Sequence, residues 1–214
     1  MARCESRQRE QLMEHRQRLA AQGRSLLLFN GVRIKGRWWQ GQAWAALVAR
    51  LTKELVALLT VIRDLLLVVE EKLLAATAGL QAAANAQPAG VGALTSQILE
   101  REVLDWSRFT NRRQVGSYTG MCPGVDASGP RSRNGPITKH GNRRLRTALI
   151  ELSWRCVTFQ PDYPPIRKWQ SLWANPKATG AMKKKAIVAV GRRLAIDLWR
   201  IRTGRATAEK LGLK

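Results

Sequence analysis

"AWAALVARLTKELVALLTVIRDLLLVVEEKLLAATAGL" (43–80) is the stretch that decides the fold class. Leu47, Leu51, Leu55, Leu58, Ile62, Leu65, Val69, Leu73, Ala76 and Leu80 recur at steps of three and four, the signature of a helix buried along one side. Leu59, Leu66 and Val68 widen that side beyond a narrow two-stranded seam. The pattern predicts one helix over about 43–86, broken by Pro88 and the glycines of "NAQPAGVG" (85–92). A domain boundary is therefore expected there, giving segments 1–87 and 88–214.

Upstream, "CESRQREQLMEHRQRLAAQGRSLLLF" (4–29) consists mostly of good helix formers, with Leu12, Leu19 and Leu26 seven residues apart. It pairs naturally with 43–86 as a coiled-coil-like antiparallel hairpin that also meets a second protomer. An intramolecular bundle without dimerisation is the alternative. "NGVRIKGRWWQGQ" (30–42) has no periodicity and reads as a loop. Its Trp38 and Trp39, with Trp44, are either base-stacking platforms or, more commonly, anchors holding a loop to helices.

The second segment opens with "GVGALTSQILERE" (90–102), which reads as half of a helix-hairpin-helix. There Gly90 and Gly92 would let backbone N–H groups approach a phosphate. Further helices are expected from Lys139 or Asn142 to about Thr158, over "IRKWQSLWA" (166–174) and over "AMKKKAIVAVGRRLAIDLWRIRTG" (181–204). In the last of these Ile187, Val190, Leu194 and Leu198 share a face. "QPDYPP" (160–165) reads as a connector, and Asp126–Thr138 as a loop. No run alternates with period two, so no strand is predicted. The expected class is mainly α: a long helical hairpin, then a compact helical domain with a helix-hairpin-helix-like element.

Charge points to the partner. The chain holds 37 Lys and Arg against 15 Asp and Glu, a formal net charge of +22. Residues 90–214 carry 24 of the cations and 8 of the anions, so the second segment is the polyanion-binding half. Such a surplus repels itself unless a polyanion shares it. Arg131, Arg133, Lys139, Arg143, Arg144 and Arg146 all lie close to Ser128. Positions 139, 143 and 146 are spaced to share one helix face, with Arg144 on its flank. His140 at a helix start and His15 on the first helix carry no assigned role.

Cys4, Cys122 and Cys156 are widely separated and form no C-x-x-C pair, so neither a disulfide framework nor a zinc site is indicated. "MARCESRQRE" (1–10) has no apolar core and is no signal peptide. The most apolar window, 55–69, is interrupted by Arg63 and Asp64 and is too short to span a bilayer. A soluble cytoplasmic protein with no membrane partner is expected.

By local chemistry Ser128 is a turn serine in a basic loop. The surrounding motifs add to that. "AGVG" (89–92), "YTGMCP" (118–123), Ser128-Gly129 and "ITKHGNRRLR" (137–146) follow in order. This string resembles the C-terminal domain of the insertion-sequence 110 family of transposases, relatives of the Piv-type DNA invertases. Ala89 stands where that family's pattern has proline. The resemblance covers about 87–153, and more weakly the two preceding helices as a coiled coil.

The resemblance implies a recombinase of DNA transposition. In that family a resolvase-type nuclease domain with four carboxylates holds Mg²⁺, and a serine domain supplies a nucleophile that forms a phosphoserine link to DNA. Ser128 falls at the nucleophile's position. Gly90, Gly92, Arg131, Arg133, Lys139, Asn142, Arg143, Arg144 and Arg146 are the candidate DNA-binding residues. Implied partners are DNA, an element-encoded RNA in some members, and further copies of the chain. By the resemblance this chain is expected to be the downstream part of such a protein. It would hold no metal or other cofactor itself, lack the carboxylate domain and be inactive alone. A general basic RNA- or DNA-binding module without catalysis is the alternative, but it has no need of Ser-Gly ahead of "KHGN".

Overall fold

The computed structural model describes residues 1–82, 90–128 and 131–214, with 126–128 and 131–134 described by their backbone course. The chain divides into two units, Met1–Ala82 and Ala83–Lys214. The expected boundary at 87/88 and the helix end at 83–86 lie outside the described residues.

The first unit consists of α1 (Ala2–Phe29), α2 (Gly41–Val48) and α3 (Lys53–Ala82). The single helix expected from residue 43 is thus two. The break falls at Thr52, whose hydroxyl accepts the Leu55 N–H at 3.4 Å. A threonine hydroxyl bonding forward in this way competes with continuation of the helix and starts a new one. α1 and α3 run antiparallel. Arg9 Nε donates to Thr77 Oγ1 at 2.8 Å and Arg16 faces Glu70 at 4.0 Å, so partners on α3 descend as α1 ascends.

The buried face of α3 is Leu55, Leu59, Ile62, Leu66, Leu73 and Leu80. Leu58 and Leu65, expected in the seam, are 59% and 51% exposed, while Leu59 and Leu66 are fully buried. α3 carries two adjacent apolar stripes, and periodicity cannot say which one faces inward. Packing decides it. Trp38 is fully buried in a notch that exists because residue 23 is glycine: a Cβ there would lie 2.0 Å from the indole ring. Its Nε1 donates to the Ala20 carbonyl at 3.1 Å. Trp39 is buried too and donates to Glu70 at 3.1 Å. Both indoles are therefore anchors of the loop.

The second unit comprises α4 (Ala93–Val103), α5 (Arg112–Thr119), β1 (Pro123–Ser128), β2 (Arg131–Ile137), α6 (Arg143–Phe159), α7 (Pro164–Arg167), α8 (Gln170–Ala174) and α9 (Gly180–Arg202). α6 and α9 form its centre. Leu145, Leu149 and Leu152 of α6, with Val190 and Leu194 of α9, belong to one buried cluster. The helices approach closely at Gly191, where a Cβ would sit 3.2 Å from Ser153 Oγ. The Ser153 hydroxyl donates back to the Leu149 carbonyl at 2.7 Å, so the contact leaves no polar atom stranded. All four residues expected on the face of α9 are buried.

The expected loop 126–138 is instead an antiparallel ribbon, paired from Pro123↔Ile137 to Ser128↔Arg131, with an irregularity between Pro123 and Val125. It escaped the sequence reading because its strands have no apolar face to alternate against. Backbone bonds fix its base: Thr138 N–H donates to the Cys122 carbonyl at 2.9 Å, and Lys139 N–H to that of Gly120 at 3.0 Å. α4 occupies the stretch read as part of a helix-hairpin-helix, and residues 83–89 ahead of it lie outside the described residues. No helix among the described residues is long and apolar enough to cross a membrane.

Candidate nucleic-acid interface

Two motifs that are separate in sequence, "YTG" (118–120) and "KHGN" (139–142), interlock. Asn142 N–H donates to the Tyr118 carbonyl at 2.8 Å. A Cβ on Gly141 would fall 2.6 Å from that same carbonyl oxygen, so only glycine permits the approach. The Asn142 side chain caps α6 by accepting the Leu145 N–H at 3.0 Å. Its amide nitrogen donates to Glu102 Oε2 at 2.7 Å, and the Tyr118 hydroxyl lies 3.4 Å away. Arg146 reaches back from α6 with one nitrogen on two carbonyls, Thr119 at 3.0 Å and Lys139 at 3.2 Å.

This lock corrects the expected basic face. Lys139 is not helical; it stands ahead of α6 with φ +57°. Arg146 is half-buried and turned onto backbone oxygens. Arg144 is half-buried and already engaged with a neighbour. Lys139, His140 and Arg143 remain exposed beside one another in sequence. Arg143 and Arg144 open α6, whose first turn has no acidic residue. Cations there face the positive end of the helix dipole, an arrangement that costs about 0.3–1 kcal/mol each without an anion.

Ser128 and Arg131 form the last described pair of the ribbon, and Asp126 pairs with Arg133. Gly90 takes φ +83°, and a Cβ on it would lie 2.8 Å from that of Phe159. Its carbonyl accepts Arg155 Nε at 2.7 Å, so its glycine serves packing against α6. Gly92 is the N-cap of α4, with open space around its α-carbon. Sequence reasoning missed Tyr118, Glu102 and Arg108. Arg108 lies 4.2 Å from the Tyr118 ring centre, and Glu102 is fully buried. Only the tyrosine carried a signal, as part of "YTGMCP". Among the described residues, no three His, Cys, Asp or Glu side chains gather as a metal ligand set.

Residues 84–166 match the transposase domain of the IS116/IS110/IS902 family. The C-terminal unit carries that family's transposase domain. Among curated relatives, transposase y4rJ of Sinorhizobium fredii is 34% identical over 111 residues, 52% of this chain and 28% of its own length. The transposase for insertion sequence element IS1111A of Coxiella burnetii is 30% identical over 118 residues, 55% of this chain and 32% of its own. That for IS1328 of Yersinia enterocolitica is 25% identical over 114 residues, covering 53% and 33%. The chain thus spans about a third of these relatives' length. Gly141, Asn142 and Arg146 lie within the matched residues and hold the base of the ribbon to α6.

Proposed function

We propose that this chain serves DNA transposition, binding DNA through its C-terminal unit with Ser128 as the attacking nucleophile. The observation that carries this reading is the ribbon, whose base is held at the lock beside the exposed cations Lys139 and Arg143 ahead of α6 and whose far end pairs residues 128 and 131. A protein that leaves arginines at the positive end of a helix gains from an anion there, and a DNA phosphate is that anion.

In the proposed step the Ser128 oxygen forms a bond to phosphorus and the bond from phosphorus to a deoxyribose oxygen breaks. The departing oxygen takes up the proton that serine gives up. A serine hydroxyl is a weak nucleophile near neutral pH, so the step needs its proton accepted and the phosphoryl charge neutralised. The described residues offer no ligand set for Mg²⁺, so no step is assigned to a metal on this chain. The metal-bearing carboxylates belong to a family nuclease domain acting together with this unit, in the bacterial cytoplasm at the nucleoid. Further copies of the chain associate through the first unit, and an element-encoded RNA is a second nucleic-acid partner.

The test combines the chain, a family carboxylate domain, Mg²⁺ and end-labelled element DNA. A protein–DNA adduct that survives denaturation and disappears in Ser128→Ala is the expected result. An adduct that persists in that variant moves the role to Ser132 or Ser117. An adduct formed without the carboxylate domain shows that this chain needs none.

A further inference from the structure

The connector 160–165 does more than join α6 to α7. The buried Gln160 side chain makes two hydrogen bonds to the backbone of Lys214, donating to its carbonyl at 2.7 Å and accepting its N–H at 3.0 Å. Lys214 Nζ also meets Asp162 at 2.6 Å. Gly212, at φ +75°, lets the chain pass Pro164 so closely that a Cβ would fall 2.9 Å from the ring. These contacts bring the 3-10 turn Glu209–Leu211 against α7.

Between that turn, α7 and α9 lies a groove of about 450 Å³. Trp169, Pro164 and Pro165 form an apolar wall, and Lys168, Arg193 and Lys210 supply positive charge. At the groove lies Asp197, 1% exposed. Its carboxylate accepts from Tyr163 at 2.8 Å, Arg193 Nε at 2.9 Å and Arg200 at 3.4 Å. Two arginines already balance that one anion, so the lysines add uncompensated charge. Asp197 also fixes Arg193 by its inner nitrogen, and the two outer nitrogens of the guanidinium form no bond among the described residues. No ion pair forms on Lys168 or Lys210 among them either; Lys168 Nζ sits 5.8 Å from the Trp169 ring centre.

We propose that this groove holds one unpaired nucleotide of a single strand, its base on Trp169 and its phosphate on Lys168, Lys210 and Arg193. A half-buried indole between exposed lysines and an oriented guanidinium is the combination that binds single strands without reading sequence. The volume lies within the range of pockets that take ligands of nucleotide size. A duplex cannot enter, because its bases are stacked inward. The proposal rests on the nucleic-acid reading above but names a different part of the unit, of which only Pro164 and Pro165 fall within residues 84–166.

The test uses the full chain with a fluorescent oligothymidylate and a duplex of mixed sequence. Trp169→Ala and the exposed double change Lys168→Ala/Lys210→Ala should each weaken single-strand binding about ten-fold, leaving duplex binding unchanged. Ultraviolet cross-linking of a 5-bromouracil strand should label the peptide containing Trp169. The double lysine variant disturbs no buried group, so its result stands even if Trp169→Ala unfolds. Unchanged single-strand affinity in that variant, or displacement of the strand by polyglutamate as readily as by oligonucleotide, overturns the groove assignment alone. Failure of the chain to bind either strand or duplex overturns it together with the DNA-binding reading.

Discussion

Asn142 on the threshold of α6 donates to the fully buried Glu102 of α4 at 2.7 Å. Its side chain thereby caps a helix and binds a carboxylate, while its backbone N–H holds the Tyr118 carbonyl at the base of the ribbon. Asn142→Ala removes the cap and a charge-assisted bond together, and should lower stability by about 2–4 kcal/mol in urea unfolding. Gly141→Ala should be at least as damaging, since the added methyl meets the Tyr118 carbonyl at 2.6 Å.

Arg143 is expected to separate stability from binding. It is exposed at the positive end of α6, so Arg143→Glu should raise the melting temperature of the free chain slightly, by about 0.3–1 kcal/mol of stabilisation. The same change should weaken DNA binding. Arg143→Ala with Lys139→Ala should reduce the slope of log affinity against log salt by about two. An unchanged slope would mean that both are merely solvated.

The second apolar stripe of α3 tests association. Leu58, Val61, Leu65 and Val68 are 59%, 62%, 51% and 54% exposed, an unusual run for a surface helix. Leu58→Glu/Leu65→Glu should convert an oligomer to a monomer in sedimentation while helicity is kept. Leu59→Glu, in the fully buried stripe, should unfold the first unit. If the stripe pair leaves the sedimentation coefficient unchanged, copies do not meet there.

Thiol chemistry should distinguish the cysteines. Burial pushes the Cys156 thiol up to about 11, partly offset by Arg155, so its thiolate is scarce at pH 8. Cys4 is exposed. A maleimide should label Cys4 rapidly and Cys156 only on denaturation. Equal rates in the native chain would contradict the packing around α6.

The extent to which the fold was legible followed physical lines. α9 read correctly because Ile187, Val190, Leu194 and Leu198 form one apolar stripe that is wholly buried, although residues 194–199 are buried on every side. α3 read as a helix, but its inward side did not, because two apolar stripes adjoin and the choice is made by Trp38 in the notch at Gly23. The ribbon was illegible, since β1 and β2 are held by backbone bonds at their base and carry glycine, proline and polar residues. At the candidate site, charge and motif single out Ser128, Lys139 and Arg143, and the structure leaves Lys139 and Arg143 exposed. Asn142 and Arg146 were found with the wrong surroundings, because nothing local to 139–146 reveals that residues 118–120 fold against it. Glu102 has no motif and becomes visible only when α4 meets α6.

The Gln160–Lys214 pairing joins positions 54 residues apart. Such a contact closes a long loop and forms only after the intervening segments have found their places. The residues of α4 to α6 are synthesised before α9 and before residues 209–211, which the Gln160–Lys214 pairing holds at the Trp169 groove. The order of synthesis therefore delivers the motif-bearing half of the unit before the residues that complete the Trp169 groove. A chain cut short before residue 209 would carry the ribbon's residues but not the full lining of that groove.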